Sequence, residues 1–178
     1  MKRLTTVVFF AVVALGLCAS HEGAAQGVTD DLNSLGLYVG VWKAETVSKD
    51  TAYSKAGKRT SETTCNWGPN HGFLICDQIV HNANGDHNDL SIYTYNEKDH
   101  TFAFYGLSRD NPPVRAPKFT VEGKRWTYSS EFDDGGKHIR QRTINEFTSP
   151  DSVTYRGEYS EDGTNWIVMF EGSNKRVK

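Results

Sequence analysis

The sequence predicts an all-β protein: an antiparallel up-and-down β-barrel of about ten strands, preceded by a short N-terminal helix. Three observations carry this expectation. From Val41 onward apolar and polar residues alternate with period two, turn signals recur roughly every ten residues, and a helical period is almost absent. A meander of that length leaves two unpaired edges unless the sheet closes on itself, so closure is the simplest solution and an open sandwich the alternative.

The chain starts ahead of that domain. Lys2 and Arg3, the apolar run from Val7 to Leu17 and the small residues from Ala19 to Ala25 have the layout of a secretory signal peptide. The run is shorter than the roughly 20 apolar residues that a bilayer core needs. Residues 1–25 are therefore expected to be removed, by cleavage after Ala25 or after Ser20, leaving residues 26–178 as one exported, periplasmic or secreted domain with no stable membrane span. Acylation of Cys18 would instead give a lipoprotein, but Leu17 ahead of it fits poorly to the small residue that such sites carry. Of 20 basic and 22 acidic residues, Lys2, Arg3 and Glu22 lie in the leader, which leaves 18 against 21. That balance excludes a nucleic-acid or anionic-membrane partner held by charge alone.

The first element after the leader is Thr29-Asp30-Asp31-Leu32-Asn33-Ser34-Leu35, a capped helical turn in which Thr or Asp accepts the first free amides and which serves as a lid or plug. Strands follow near 41–49, 58–67, 72–81, 89–96, 100–107, 116–122, 125–132, 137–148, 152–160 and 165–174. Between them stand explicit turns, among them Asn84-Gly85-Asp86, Glu122-Gly123-Lys124, Asp133-Asp134-Gly135-Gly136 and Glu161-Asp162-Gly163. In the first strand Trp42, Ala44 and Thr46 are expected to point inward and Lys43 and Glu45 outward. Cys65 and Cys76 flank a Gly-Pro and Asn-rich reversal. Centred on Asn70 and His71, that reversal sets the two cysteines across from each other, and an oxidising compartment makes a disulfide of them. Alternation gathers aromatic residues on one side: Phe102 and Phe104; Trp126, Tyr128 and Phe132; Trp166, Val168 and Phe170. At 12% aromatic the chain holds enough rings to line or fill a barrel.

Gly40-Val41-Trp42 after a short helical lead resembles the Gly-x-Trp start of lipocalins and other calycins, in which the Trp packs across the barrel base. Leu37-Tyr38-Val39-Gly40-Val41-Trp42, Cys65-Asn66-Trp67 with Gly72-Phe73-Leu74, Leu90-Ser91-Ile92-Tyr93, Gly123-Lys124-Arg125-Trp126, and Ser160-Glu161-Asp162-Gly163-Thr164-Asn165-Trp166 with Glu171-Gly172 together resemble a bacterial family of calycin-like domains of unknown function, exported and cytoplasmic. The resemblance implies a fold, with Gly40, Trp42 and Trp166 as structural residues. It brings no settled activity.

The candidate ligand-binding residues are Arg140, Arg142, Arg156 and Glu158, with Trp126, Tyr128 and Phe104 as aromatic lining. Arg140 and Arg142 share one face of their strand, and Arg156 and Glu158 one face of the next. If Tyr155 and Tyr159 face out, Arg156 and Glu158 face in, and the cluster meets a ligand carboxylate. Fatty-acid-binding barrels use an interior Arg in this way, although their Arg-x-Tyr signature is absent here. The alternative is a cross-strand ion-pair ladder on the solvated surface.

Other chemistries find less support. His71, His81, His87, His100 and His138 have no close ligand spacing, so neither a metal nor a cofactor is expected. His138, the residue nearest to the late-strand position of a haem ligand, follows the Gly135-Gly136 turn and reads as exposed. The segment from His81 to Asp89 reads as a solvated hairpin turn, since it lacks the closing Glu of a calcium loop. No Gly-x-Ser-x-Gly elbow occurs. An acid-base role for a buried Asp77 stands against its reading as an outward strand residue. The leading expectation is a barrel that binds a small hydrophobic or amphipathic ligand without transforming it. The alternatives are an isomerase, cyclase or hydrolase using the same pocket, and a solid-core barrel that acts as a protein-interaction module.

Overall fold

The computed structural model describes residues 31–108 and 113–178. The residues expected to form a leader and its cleavage sites, Cys18, Thr29 and Asp30 lie outside them. The strands are β1 (Gly40–Ser48), β2 (Gly57–Trp67), β3 (Leu74–Asn82), β4 (Gly85–Asn96), β5 (Thr101–Ser108), β6 (Val114–Arg115), β7 (Lys118–Glu122), β8 (Arg125–Asp134), β9 (Lys137–Ser149), β10 (Ser152–Ser160) and β11 (Ile167–Arg176). All pairings are antiparallel. β1 to β5 and β7 to β11 form two meanders, β1 pairs with β11, and β5 meets β7 through Phe102 and Phe119. The result is a closed ten-stranded barrel, with β6 an extra strand beside Tyr105 and Gly106 of β5.

The closed floor begins with a 3₁₀ turn, Leu32–Tyr38, which starts and ends three residues later than the helical turn expected from the sequence. Asp31 sets its start. Its carboxylate accepts from Asn33 N at 2.8 Å, and its own amide donates to Ser34 Oγ at 3.2 Å, so two otherwise free donors are satisfied. The turn seats Leu35 in the floor, fully buried beside Trp42. Along β1, Trp42, Ala44 and Thr46 are buried while Lys43 and Glu45 are exposed, the alternation that period two predicts. Trp42 Nε1 donates to Tyr38 O at 2.8 Å, which ties the plug to the first strand. At about 25 cal/mol per Å², burying a ring of this size contributes roughly 4–6 kcal/mol before ordering entropy. Gly40 precedes it at φ +123°, where a Cβ would come within 2.5 Å of Lys178 O, so the position takes only glycine.

The β2–β3 reversal turns through Asn70 and His71, both in the left-handed region at φ 56° and 58°. This puts Cys65 directly opposite Cys76, and the two form a disulfide with Cα atoms 4.0 Å apart, buried on the inner face. The β3–β4 turn is tighter than the sequence suggests. β3 runs to Asn82 and β4 restarts at Gly85, with Asn84 N donating to Asn82 Oδ1 at 2.8 Å. The stretch from Gly85 to Asp89 is therefore strand, not turn.

Near the other end, Ile139, Tyr159 and Met169 form a second apolar cluster beneath Tyr53 and Phe170. The pairing of β10 with β11 shifts here: Gly157 faces Phe170, but Glu158 faces Val168, and Met169 is skipped. The shift breaks the alternation expected of Trp166, Val168 and Phe170. Trp166 lies ahead of β11, half-buried, and stacks on Arg142 instead of entering the barrel.

Candidate ligand-binding site

The inner face carries too few large side chains to fill the barrel above its floor. Two adjoining lobes remain, of about 580 and 610 Å³. Tyr38, Gln78, Thr143, Asn145 and Phe170 border both. These volumes fall within the range of small-molecule sites.

The first lobe is aromatic. Tyr93, Phe104 and Tyr128 point into it from β4, β5 and β8, with Phe132 further up β8. Tyr128 stacks on Phe119 at 4.7 Å and meets Phe104 edge-on at 4.9 Å, so these rings hold one another in place. Tyr128 Oη donates to Tyr93 Oη at 3.3 Å. Burial holds the Tyr128 phenol well above its ordinary pKa, pushes Tyr93 up to about 12 and raises Tyr38 as well. All three therefore act as neutral hydrogen-bonding groups at any physiological pH.

The second lobe is polar. Gln78 Nε2 donates to Ser61 Oγ at 3.2 Å and to Thr63 Oγ1 at 2.9 Å, and Tyr155 Oη shares a 2.6 Å hydrogen bond with Thr46 Oγ1. Burial raises the pKa of Tyr155, opposed by the Thr46 hydroxyl and by the charge of Arg59. Asn174 Nδ2 donates to Tyr38 Oη at 2.8 Å, while its Oδ1 and that of Asp89 are buried with no partner. His87 Nε2 lies 3.6 Å from Asp89 Oδ2, and Nδ1 of the same ring is 3.4 Å from Asn82 Nδ2. Arg59 is exposed at the rim of this lobe on β2, its guanidinium carbon 5.3 Å from the centre of the Phe170 ring.

Of the residues singled out in the sequence, Phe104 and Tyr128 line the aromatic lobe, and Trp126 lies in the floor, 1% exposed. The four charged residues lie elsewhere. Gln141, Thr143 and Asn145 face the lumen, so Arg140 and Arg142 take the outer face of β9. Glu158 pairs opposite Arg142, and Arg156 opposite Ile144, on that same outer face. The interior carboxylate clamp is thus corrected to the outer ion-pair ladder. The cause is Tyr155, which faces in toward Thr46 and so turns Arg156 and Glu158 out.

Arg142 Nε meets Glu158 Oε1 at 2.5 Å, Arg156 Nε meets Oε2 at 3.1 Å, and Arg140 Nε meets Glu131 Oε1 at 3.2 Å. The Trp166 ring covers Arg142 at 3.7 Å, and beneath this stack Glu158 is 3% exposed although it is outside the barrel. Of the four, Arg142 borders the aromatic lobe, but Glu158 and Trp166 hold its guanidinium outside.

Asp77 is exposed on the outer face and has no place in an acid-base pair within the lumen. His138 is also outside, between Asp133 and Glu131, whose hydrogen bonds raise its pKa. Among the described residues, no three His, Cys, Asp or Glu side chains gather closely enough to hold a metal ion. Arg59 escapes the sequence reading, and His87 and Asp89, read there as part of a solvated hairpin turn, instead border the polar lobe from β4. Parity does mark them: Arg59 is in phase with Ser61, Thr63 and Cys65, and His87 and Asp89 with Ser91 and Tyr93.

Comparison of the sequence with protein-family models and with curated proteins finds no match. Solved structures do match. Rv2717c from M. tuberculosis superposes with a TM-score of 0.55 at 11% identity, covering 83% of this chain and 97% of that one. The S-type phycobiliprotein lyase CPES from Guillardia theta gives 0.55 at 9% identity, covering 84% and 94%. Among the described residues, no helix is long and apolar enough to cross a membrane. At such identities the likeness extends to the fold, and the chain has the calycin-like barrel that its Gly-x-Trp start implies.

Proposed function

We propose that this chain is an exported barrel of the calycin-like kind that binds a small hydrophobic or amphipathic molecule in its lumen without transforming it. One observation carries the reading: the aromatic and polar lobes adjoin, so a single molecule can lay an apolar body against Tyr93, Phe104 and Tyr128 and present a polar end to Gln78, Asn145 and Asn174. The rings are fixed by their mutual contacts before any ligand arrives, which lowers the ordering penalty of binding. The enzyme reading finds weaker support. The lumen pair His87 and Asp89 is its best candidate, yet one imidazole nitrogen faces Asn82 and the other Asp89, which leaves neither directed at a substrate proton.

The test is uptake of the neutral probe N-phenyl-1-naphthylamine by the purified protein, followed by probe fluorescence and by quenching of the tryptophans, with mass spectrometry of any lipid that co-purifies. Saturable binding of one probe per chain is expected. Thr143→Phe, on the wall common to both lobes, should abolish it while the circular-dichroism spectrum is unchanged. Absence of uptake in the unmodified protein would discard the reading.

A further inference from the structure

We infer that the lumen selects an anionic amphiphile, with the acidic group of the ligand seated at Arg59 and its apolar body in the aromatic lobe. This rests on the lumen-binding reading and names the ligand class within it. Arg125, Arg140, Arg142, Arg156 and Arg176 each hold a carboxylate of the protein. Among the described residues, Arg59 and Arg115 hold none; Arg115 lies over the Tyr105 ring, while Arg59 borders the polar lobe beside Lys58 and Lys55, the latter paired with Asp50. The carboxylate that shares the lobe of Arg59, Asp89, faces His87 through Oδ2, while its Oδ1 has no partner.

Strand register puts Arg59 in phase with the inner face, at the exposed rim of the lumen. It pairs opposite Thr46 of β1, and Thr46 is buried on the inner face. Its guanidinium lies over the Phe170 ring, and Phe170 borders both lobes, so the cation stands where the polar and aromatic compartments meet. The Thr46 and Tyr155 hydroxyls, 2.6 Å apart, meet across Gly172 of β11, which separates β1 from β10 in the same wall. The Tyr155 hydroxyl also donates to Glu45 O at 3.3 Å, so the hydroxyl pair is satisfied within the wall, and the anion is held by the planar guanidinium, which offers a two-pronged fit to a carboxylate, sulfonate or phosphate oxygen pair. The ring beneath Arg59 keeps it extended over the opening and attracts it as a cation–π partner.

The experiment compares two probes built on the same aromatic frame, neutral N-phenyl-1-naphthylamine and anionic 1-anilinonaphthalene-8-sulfonate, against the full mature chain and three variants. The expected result is tighter binding of the anionic probe, weakened about 5- to 10-fold by Arg59→Gln, largely restored in Arg59→Lys, and weakened by added salt. The neutral probe should bind all three of these proteins alike. Thr143→Phe should remove both probes. Equal affinity for the two probes, with Arg59→Gln changing neither, overturns the anion seat and leaves the lumen reading intact. Failure of both probes to bind overturns the lumen reading and the anion seat together. Anionic binding that survives Thr143→Phe is surface adsorption and also overturns the seat.

Discussion

Arg176 lies across the indole of Trp42, its guanidinium carbon 4.4 Å from the ring centroid, and the two residues close the floor from the last strand and the first. The same guanidinium donates to the carbonyls of Leu37, Val39 and Pro150, and its Nε meets Asp151 at 2.9 Å. One side chain thus joins the 3₁₀ plug, the start of β1, the β9–β10 turn and the end of β11. Trp42→Ala should destabilise by about 3–5 kcal/mol, the range for deleting a fully buried aromatic. Arg176→Met keeps much of the packing but strips donors from these carbonyls, and should destabilise by about 2–3 kcal/mol. Urea unfolding followed by tryptophan fluorescence measures both. A near-neutral Trp42→Ala would contradict the floor described above.

Glu158 makes a separate prediction. Its carboxylate is buried between arginines that are 32% and 54% exposed, so the pair is only half desolvated. Glu158→Gln removes the charge from beneath two guanidinium groups and should destabilise by about 2 kcal/mol, below the range for a fully buried pair. Because the cluster faces outward, probe affinity should stay at the unmodified value. A tenfold loss of affinity would return these residues to the lumen.

Reduction of the Cys65–Cys76 bond frees a short loop between two strands. In the chain-entropy model the stabilisation is about 3 kcal/mol. The Cys65→Ala/Cys76→Ala double variant should shift the urea midpoint accordingly, and reductant should then have no further effect on it.

The pH dependence follows from the phenols. Tyr38, Tyr93 and Tyr128 have folded pKa values raised above the unfolded value near 10 by burial. A raised value means that the stability contribution is complete below about pH 10 and is lost as pH rises through the folded values, about 12 for Tyr93. Tyrosinate absorbance near 295 nm and far-UV circular dichroism, recorded together, should show these three rings ionising only as the barrel unfolds. Ionisation in a fully folded barrel would mean that water reaches the aromatic lobe freely.

The barrel, its floor and its disulfide were legible because each rests on a local pattern: alternation in Trp42, Ala44 and Thr46, and a reversal that sets Cys65 against Cys76. The polar half of the site was not. In Tyr155-Arg156-Gly157-Glu158-Tyr159, Tyr155, Gly157 and Tyr159 alternate with Arg156 and Glu158, so period two offers two equally regular solutions, and a choice of one residue decides which set enters the lumen. The deciding contacts are remote in sequence: the Thr46 hydroxyl against Tyr155, and the Phe170 ring, which occupies the space where Gly157 lacks a side chain. Trp166 was misplaced because the skipped Met169 is invisible to alternation. Arg59 was overlooked because it is exposed near a strand end, where nothing local separates a residue at the lumen rim from an ordinary solvated arginine.

The junction of β5 with β7 differs in kind from the others. β8 and β9 pair from Arg125 with Glu146 to Asp134 with Lys137, whereas β5 and β7 share the single ladder pair of Phe102 with Phe119. The molecule is therefore better pictured as a rolled sheet with a basted seam than as a sealed tube. The short β6 pairing and the Ala116 N to Phe104 O bond add to this junction, but the other junctions carry longer ladders, so local opening is expected first along this side. Amide exchange faster at β7 than at β9 would be the signature of that opening.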